Sequence, residues 1–369
     1  MKVTIDSSGA APPLTPRSFC RVVPWPLIRE LSDGDEVVAC FLVHEARRAE
    51  AKNSKPYLRL TLGDASGTID AFVWDEVERW EPFCVVDSVV GVRGRVGSFQ
   101  ERLQLKVHSV DSLHVEAGDL ELLLQASPRP RAEMEAELDA LLDSPRDSGL
   151  RRLLHRCLGR STELGRLFRV HPAAKRNHHG YVSGLMEHSL SVAGACERLV
   201  AHYRTQGVEL DRDLLVAGAL LHDLGKVREL RPPPASGYTT EGRLLGHIVM
   251  GIQMIAREAE TVQELTEDRL LLLQHLIASH QGRPEWDSPR TPQLLEALVL
   301  HYADDLDAKM NAAGQLLSRV QPGDWSAYDR SFGRSFFRPS DRNANRNEAD
   351  DDAGAEPAFD LFWDRPGGL

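Results

Sequence analysis

Val216-Ala-Gly-Ala-Leu-Leu-His-Asp-Leu-Gly-Lys226 is an apolar run that stops on a His–Asp pair, followed closely by a glycine and a lysine. The run predicts a buried helix end that carries His222 and Asp223 into the interior. A carboxylate taken out of water is strongly unfavourable unless something positive neutralises it, and a divalent cation does that best. The stretch therefore reads as a metal-binding helix end. Imidazole nitrogen and carboxylate oxygen are the usual ligands of a catalytic transition metal. Candidates flank the run: His188 before it, and His247, His275, His280 and Asp304 after it.

Around this stretch the pattern is helical. Leu185–Tyr203, Asp213–Leu224, Leu245–Glu260, Asp268–Ser279 and Gln293–Leu317 carry apolar residues at three- and four-residue spacing, which predicts an all-α bundle. Breakers at Pro232-Pro-Pro234, Gly237 and residues 282–292 separate them and lie close to the candidate ligands, as substrate-facing loops do. His301, Asp304 and Asp307 share one helix face, so that face can hold both a ligand and its support, with His301 expected to orient Asp304. Upstream, Ala132–Leu142 is acidic and amphipathic. A basic stretch follows, with Arg151, Arg152, Arg156, Arg160, Arg166, Arg169, Lys175 and Arg176 opposed only by Glu163, and it runs into His178-His-Gly-Tyr-Val-Ser-Gly-Leu-Met-Glu-His188. Such a run is either a solvated face or, beside a metal site in a chain of net charge −11, a contact for an anionic polymeric substrate.

Nearer the N-terminus the period changes to two. Val37–Val43, Tyr57–Leu62, Ile69–Trp74, Val85–Val96 and Leu103–Val107 predict strands, with turn signals at Gly63-Asp-Ala-Ser-Gly67 and Gly97–Glu101. Five strands at that spacing fit a small closed barrel. Asp64-Ala-Ser-Gly-Thr-Ile-Asp-Ala-Phe-Val-Trp74, with Val92-Arg-Gly-Arg-Val96 and Leu103-Gln-Leu105, resembles the oligonucleotide-binding (OB) fold. Tyr57, Phe72 and Phe99 offer faces for base stacking, whereas Trp74 is expected in the core. Arg59 alternates with leucines, and Arg93 and Arg95 with valines, so these arginines are expected on one solvated face, facing phosphates.

Composition bounds the rest. With 369 residues and 42% hydrophobic content the chain can bury two cores. No N-terminal signal pattern is present, and no apolar run approaches the roughly 18 residues of a membrane span, so a cytoplasmic location without membrane attachment is expected. The five cysteines are scattered and form no C-x-x-C pair, which supports neither a disulfide framework nor a zinc ribbon. The negative net charge excludes a general polyanion-coating protein, so any nucleic-acid site is local.

His178-His179, Gly184-Leu-Met-Glu-His188, His222-Asp-Leu-Gly-Lys226, Gly246-His247, His275-Leu-Ile-Ala-Ser-His280 and Asp304-Asp-Leu-Asp-Ala-Lys-Met310 resemble the ordered motifs of HD-domain phosphohydrolases. Behind an OB-like barrel, and with Pro172-Ala-Ala-Lys-Arg-Asn-His-His179, the arrangement is similar to the YhaM-type 3′→5′ exoribonucleases of bacteria. The resemblance implies His188, His222, Asp223 and Asp304 around one metal ion. It implies His247 and His280 around a second, with Asp223 bridging. The family often has two adjacent histidines where this chain has His280-Gln281, and His280 is the ligand expected there. A mixed imidazole and carboxylate set suits Mn²⁺, Fe²⁺, Co²⁺ or Ni²⁺ better than an oxygen-only Mg²⁺ cage, and Mn²⁺ is expected. Lys226 is expected to reach a phosphate oxygen, and Lys175, Arg176, His178 and His179 to contact substrate.

The implied organisation is a leader (1–17), an OB-fold domain (18–118), a linker (119–131), an HD-type helical domain (132–338) and a disordered acidic tail (339–369). The implied activity is metal-dependent trimming of single-stranded RNA to nucleoside 5′-monophosphates, with single-stranded DNA open as a second substrate and a homo-oligomer as the assembly. Two rival readings are an HD-type hydrolase of a small nucleotide or cyclic dinucleotide, and a non-catalytic OB-fold nucleic-acid-binding protein.

Overall fold

The alternation in Tyr57-Leu-Arg-Leu-Thr-Leu62 is that of a barrel wall: Leu58, Leu60 and Leu62 are buried, and Tyr57, Arg59 and Thr61 point the other way. The computed structural model describes residues 14–20, 24–51, 54–100, 102–115, 117–174 and 179–340. The expected leader up to residue 13 and tail from residue 341, together with Lys175, Arg176 and His178, lie outside the described residues.

Strands β1 (Glu36–Glu50), β2 (Pro56–Asp64), β3 (Gly67–Val73), β4 (Val89–Phe99) and β5 (Arg102–Ser112) close in the order β1-β2-β3-β5-β4. All pairings are antiparallel except β3 with β5. Closure depends on the length of β1. Its first half pairs with β4 and its second half with β2, with a register shift between Val43 and Glu45 where the strand changes partners. At that changeover both faces are covered, so Ala39 to Val43 are all buried. The turn between β2 and β3 is made by Asp64, whose Oδ1 accepts hydrogen bonds from the Ser66 amide and hydroxyl, both at 2.7 Å. Its Oδ2 accepts from the Ile28 amide at 2.6 Å, fixing the segment that precedes the barrel.

The helical part comprises α1 (Arg131–Asp143), α2 (Ser148–Leu158), α3 (Glu163–Val170), α4 (Gly184–Thr205), α5 (Arg212–Leu221), α6 (Lys226–Glu229), α7 (Thr240–Ala259), α8 (Glu267–Ser279) and α9 (Leu295–Ser318). Helix α5 is the core of this part. Every residue from Leu214 to Leu221 is buried, because α4 and α8 cover it. Its N-cap Asp211 accepts from the Leu214 amide, and Asp147 caps α2 in the same way. Arg269 of α8 donates to both capping carboxylates, at 2.9 Å to Asp147 and 2.5 Å to Asp211, so one guanidinium ties three helix starts together. Residues 1–311 form one compact unit and 312–369 a second. In the second, Trp325 and Phe337 bridge antiparallel strands of backbone and Arg338 donates to the Val320 carbonyl at 2.7 Å. Trp325 and Tyr328 are 62% and 66% exposed. Among the described residues no helix is long and apolar enough to cross a membrane.

Because Leu220 is fully buried in α5, Leu220→Ala is expected to lower stability by about 2–5 kcal/mol. A urea titration followed by circular dichroism reads this as a fall in midpoint at constant slope.

Candidate metal centre

The apolar helix α5 delivers His222 and Asp223, 0% and 2% exposed, to a point where four other elements converge. Helix α4 brings His188, whose Nε2 lies 3.2 Å from His222 Nε2. Helix α9 brings Asp304, with Oδ1 3.1 Å from His188 Nε2 and 3.7 Å from His222 Nε2. Asp223 Oδ2 faces this group, at 3.3 Å from His222 Nε2 and 3.6 Å from His188 Nε2. Its other oxygen, Oδ1, faces a second group, 3.4 Å from His247 Nε2 and 3.8 Å from His280 Nε2. His247 follows Gly246, whose φ of 71° breaks helix α7 and turns the imidazole inward. His280 is the C-cap of α8. In the Asp223, His247 and His280 group, as in the His188, His222 and Asp304 group, the ligand atoms lie within 4.8 Å of one another.

The hydrogen bonds on the far side of each ring decide which nitrogen points inward. Nδ1 of His222 donates to the Ala219 carbonyl at 2.9 Å, and Nδ1 of His280 to the Ile277 carbonyl at 2.7 Å. Nδ1 of His188 donates to Asp307 at 2.7 Å, and Nδ1 of His247 to Glu229 at 3.3 Å. In the neutral ring these bonds hold the proton at Nδ1 and leave Nε2 to offer its lone pair to a metal ion, which takes the place of the proton that His222 otherwise binds. Asp223 Oδ1 and His247 Nε2 are buried with no hydrogen-bond partner. A buried polar atom left so costs about 1–3 kcal/mol, and two acceptors facing each other are satisfied together by a cation. The residues therefore fit divalent metal ions.

The electrostatics agree. Burial works against protonation of His222, but the Asp223 and Asp304 carboxylates outweigh it and raise its pKa to about 10. Burial likewise opposes ionisation of Asp223, and Lys226 and His222 overcome it, holding the carboxyl well below its usual range. His280 is driven down to about 3, first by burial and then by the charge on His222. The cluster draws positive charge to His222 and keeps the His280 ring neutral.

A second layer holds the ligands. Asp307 accepts from His188, from His179 Nε2 at 2.9 Å and from the Ser191 hydroxyl. Tyr181 donates to His179 Nδ1 at 3.0 Å. His179, expected to meet substrate, is 3% exposed with both ring nitrogens engaged, and so it braces Asp307 instead. His301 does not orient Asp304: its Nδ1 bonds the His280 carbonyl at 2.8 Å and fixes the turn that carries that ligand. His275 accepts the Gln293 amide at 3.0 Å and packs a loop. Gly225 allows the closest approach in the site, since a Cβ there would lie 1.9 Å from the His247 carbonyl oxygen. Glu229, Tyr181, Ser191 and Asn311, whose side chain donates to Tyr181 Oη at 3.2 Å and accepts the His179 amide at 3.0 Å, carry no signal in the sequence; nothing in their spacing separates them from ordinary surface polar residues.

Lys226 is bound within the cluster, with Nζ 2.6 Å from Asp223 Oδ2. On the barrel, Arg59, Arg93 and Arg95 face outward, beside Asp70 at 3.3 Å, Asp111 at 2.8 Å and Glu36 at 3.8 Å. Trp74 is not in the core. It is 40% exposed and stacks on Tyr57 and Phe72, with ring centroids 4.5 and 6.0 Å away. The two-residue period of β3 explains this, because Trp74 shares the outer side with Phe72. The basic stretch is opposed by more than Glu163. Arg152 meets Glu264, Arg156 meets Glu258, Arg160 meets Asp139 and Glu135, and Arg169 is buried against the Leu158 and Gly165 carbonyls.

A five-stranded barrel followed by a helical bundle with this His and Asp centre defines an OB-fold protein carrying an HD-type phosphohydrolase domain. Family models described as "HD domain" and "OB-fold nucleic acid binding domain" match residues 185–309 and 37–113. The chain is 37% identical over 313 residues to the 3′-5′ exoribonuclease YhaM of Bacillus licheniformis, covering 83% of this chain and 96% of that protein. It is 37% identical over 311 residues to YhaM of Bacillus subtilis, with the same coverage. The chain belongs to the YhaM 3′-5′ exoribonuclease family. Among solved structures, the second OB-fold domain of replication protein A from Methanococcus maripaludis matches 24% of this chain and 92% of that chain, at 21% identity and a TM-score of 0.20.

Asp307→Ala is expected to weaken divalent-metal binding by about 10- to 100-fold, read by calorimetric titration of the chelator-treated protein with Mn²⁺. Unchanged affinity would remove Asp307 from the support of His188.

Proposed function

We propose that this protein is a metal-dependent 3′→5′ exoribonuclease of the cytoplasm that trims single-stranded RNA to nucleoside 5′-monophosphates, with two Mn²⁺ ions in the centre. The observation that carries the reading is the buried Asp223 carboxylate, whose two oxygens face two separate histidine groups in a chain of this family. His188, His222, Asp223 and Asp304 would hold one ion, and Asp223, His247 and His280 the other. Bound there, the ions supply Lewis acidity at the scissile phosphate and an acidified water as nucleophile. The chain's own residues do the rest. Asp307 and Glu229 hold His188 and His247 in the ligating tautomer. Lys226, beside Asp223, is placed to exchange that carboxylate for a phosphate oxygen and to stabilise charge as it develops there.

The barrel would grip the strand upstream. Tyr57, Phe72 and Trp74 form an exposed aromatic ladder, a sequence-tolerant platform for successive bases. Arg59, Arg93 and Arg95 lie on the outer side of the same barrel. The arginines themselves are exposed and their carboxylate partners at least one-third so; such pairs are worth about 0–1 kcal/mol, so a phosphate can displace them.

Two measurements test this. With 5′-labelled single-stranded RNA and Mn²⁺, the protein is expected to give a ladder shortening from the 3′ end, abolished by chelator and by Asp223→Ala; a parallel single-stranded DNA substrate ranks the two polymers. Intact RNA under every condition would overturn the proposal and turn attention to small nucleotides. Trp74→Ala is expected to weaken RNA binding by about 1–3 kcal/mol, roughly 5- to 150-fold, in a filter-binding assay, while cleavage of a dinucleotide is spared.

A further inference from the structure

Among the described residues, the arginines of the basic stretch do not reach the metal centre. Arg152 and Arg156 of α2 instead line a groove with Arg228 of α6 and Arg257 of α7. Arg257 stands ten residues beyond His247 on α7, about 15 Å along the axis at 1.5 Å per residue. The groove is thus separate from the centre.

Its lining has two characters. Arg152 and Arg156 are each matched by a glutamate, Glu264 at 3.0 Å and Glu258 at 2.8 Å. The Arg228 and Arg257 side chains are exposed and form no hydrogen bond or ion pair among the described residues. Two uncompensated guanidiniums on neighbouring helices, in a chain of net charge −11, are a local anion site, and the planar fork of arginine suits phosphate oxygens in particular. Beside them the same groove offers Leu164 and Leu167, both half-buried, over the buried Met254, an apolar surface that suits the flat face of a base. Phosphate recognition at one end and an apolar platform at the other match a nucleotide. Glu163 and Glu258 also line the groove, Glu258 being taken up by Arg156, so the unpaired positive charge is confined to Arg228 and Arg257 and suits the compact charge of a free polyphosphate.

We propose that this groove, formed by α2, α3, α6 and α7, is a binding site for a free nucleoside polyphosphate, distinct from the metal centre and independent of the nuclease reading. Arg228 and Arg257 carry the phosphates, and Leu164 and Leu167 the base.

The test is calorimetric titration of the full chain with ATP in excess chelator, which removes metal-bridged binding at the centre. One ATP per chain is expected. Affinity is expected to fall at least tenfold in Arg228→Ala/Arg257→Ala and to stay within twofold in Asp223→Ala, with circular dichroism confirming that both variants are folded. No binding to the wild-type chain, or equal binding by the double arginine variant, would overturn the site. A twelve-nucleotide RNA that displaces ATP from Asp223→Ala would also overturn it, since the groove would then belong to the RNA path; ATP retained in the presence of that RNA supports the proposal.

Discussion

The structure turns on the burial of one carboxylate. Asp223 is 2% exposed, at the end of a helix that is apolar on every side. Desolvating a carboxylate in this way is unfavourable by far more than one hydrogen bond returns, so its surroundings must supply positive charge. Four elements converge on it for that purpose. Lys226 meets one oxygen, and four imidazoles stand around the pair with their Nε2 atoms turned inward. Removing the charge at Asp223 would leave these groups facing each other with nothing to hold between them.

That requirement explains the helix architecture around it. Metal ligation needs ring orientations held to within a fraction of an ångström, and rigid elements with supporting hydrogen bonds provide this better than loops. Backbone carbonyls one turn back fix His222 and His280, both at helix ends. His188, in the second turn of α4, has its local carbonyls used by the helix itself and takes its support from Asp307 on α9. His247 lies after the break at Gly246 and takes its support from Glu229 on α6. The kind of support each histidine needs follows from where it sits on its helix.

The same logic separates what was legible in the sequence from what was not. The barrel strands and the long helices were readable because each follows from a local period, and the six clustered His and Asp positions because they fall in ordered motifs. The supports were not. Glu229 is one glutamate among many until α6 folds against α7, and His179 resembles a substrate contact until Asp307 and Tyr181 close on it. The basic stretch misled for a related reason: Glu264, Glu258, Asp139 and Glu135 are 21 or more residues away from their arginines. Trp74 differs, since the alternation that places Phe72 outside also places Trp74 there, and a general preference for burying tryptophan overrode a signal already present.

The two halves handle charge in opposite ways, and this bears on the proposed activity. In the helical centre the pairs are buried and keep one arrangement, which chemistry at a phosphate requires. On the barrel the arginines, 48–61% exposed, pair with carboxylates that are 34–69% exposed, where each pair contributes little and salt screens it further. A strand held on that surface exchanges one weak contact for another of similar strength, and stacking on Tyr57, Phe72 and Trp74 does not depend on which base arrives. A grip with these properties can release and re-form as the strand advances, whereas a tight or sequence-specific surface would stall it. Weak pairing outside and over-determined geometry inside are thus complementary needs of an enzyme that removes one nucleotide and must then move to the next.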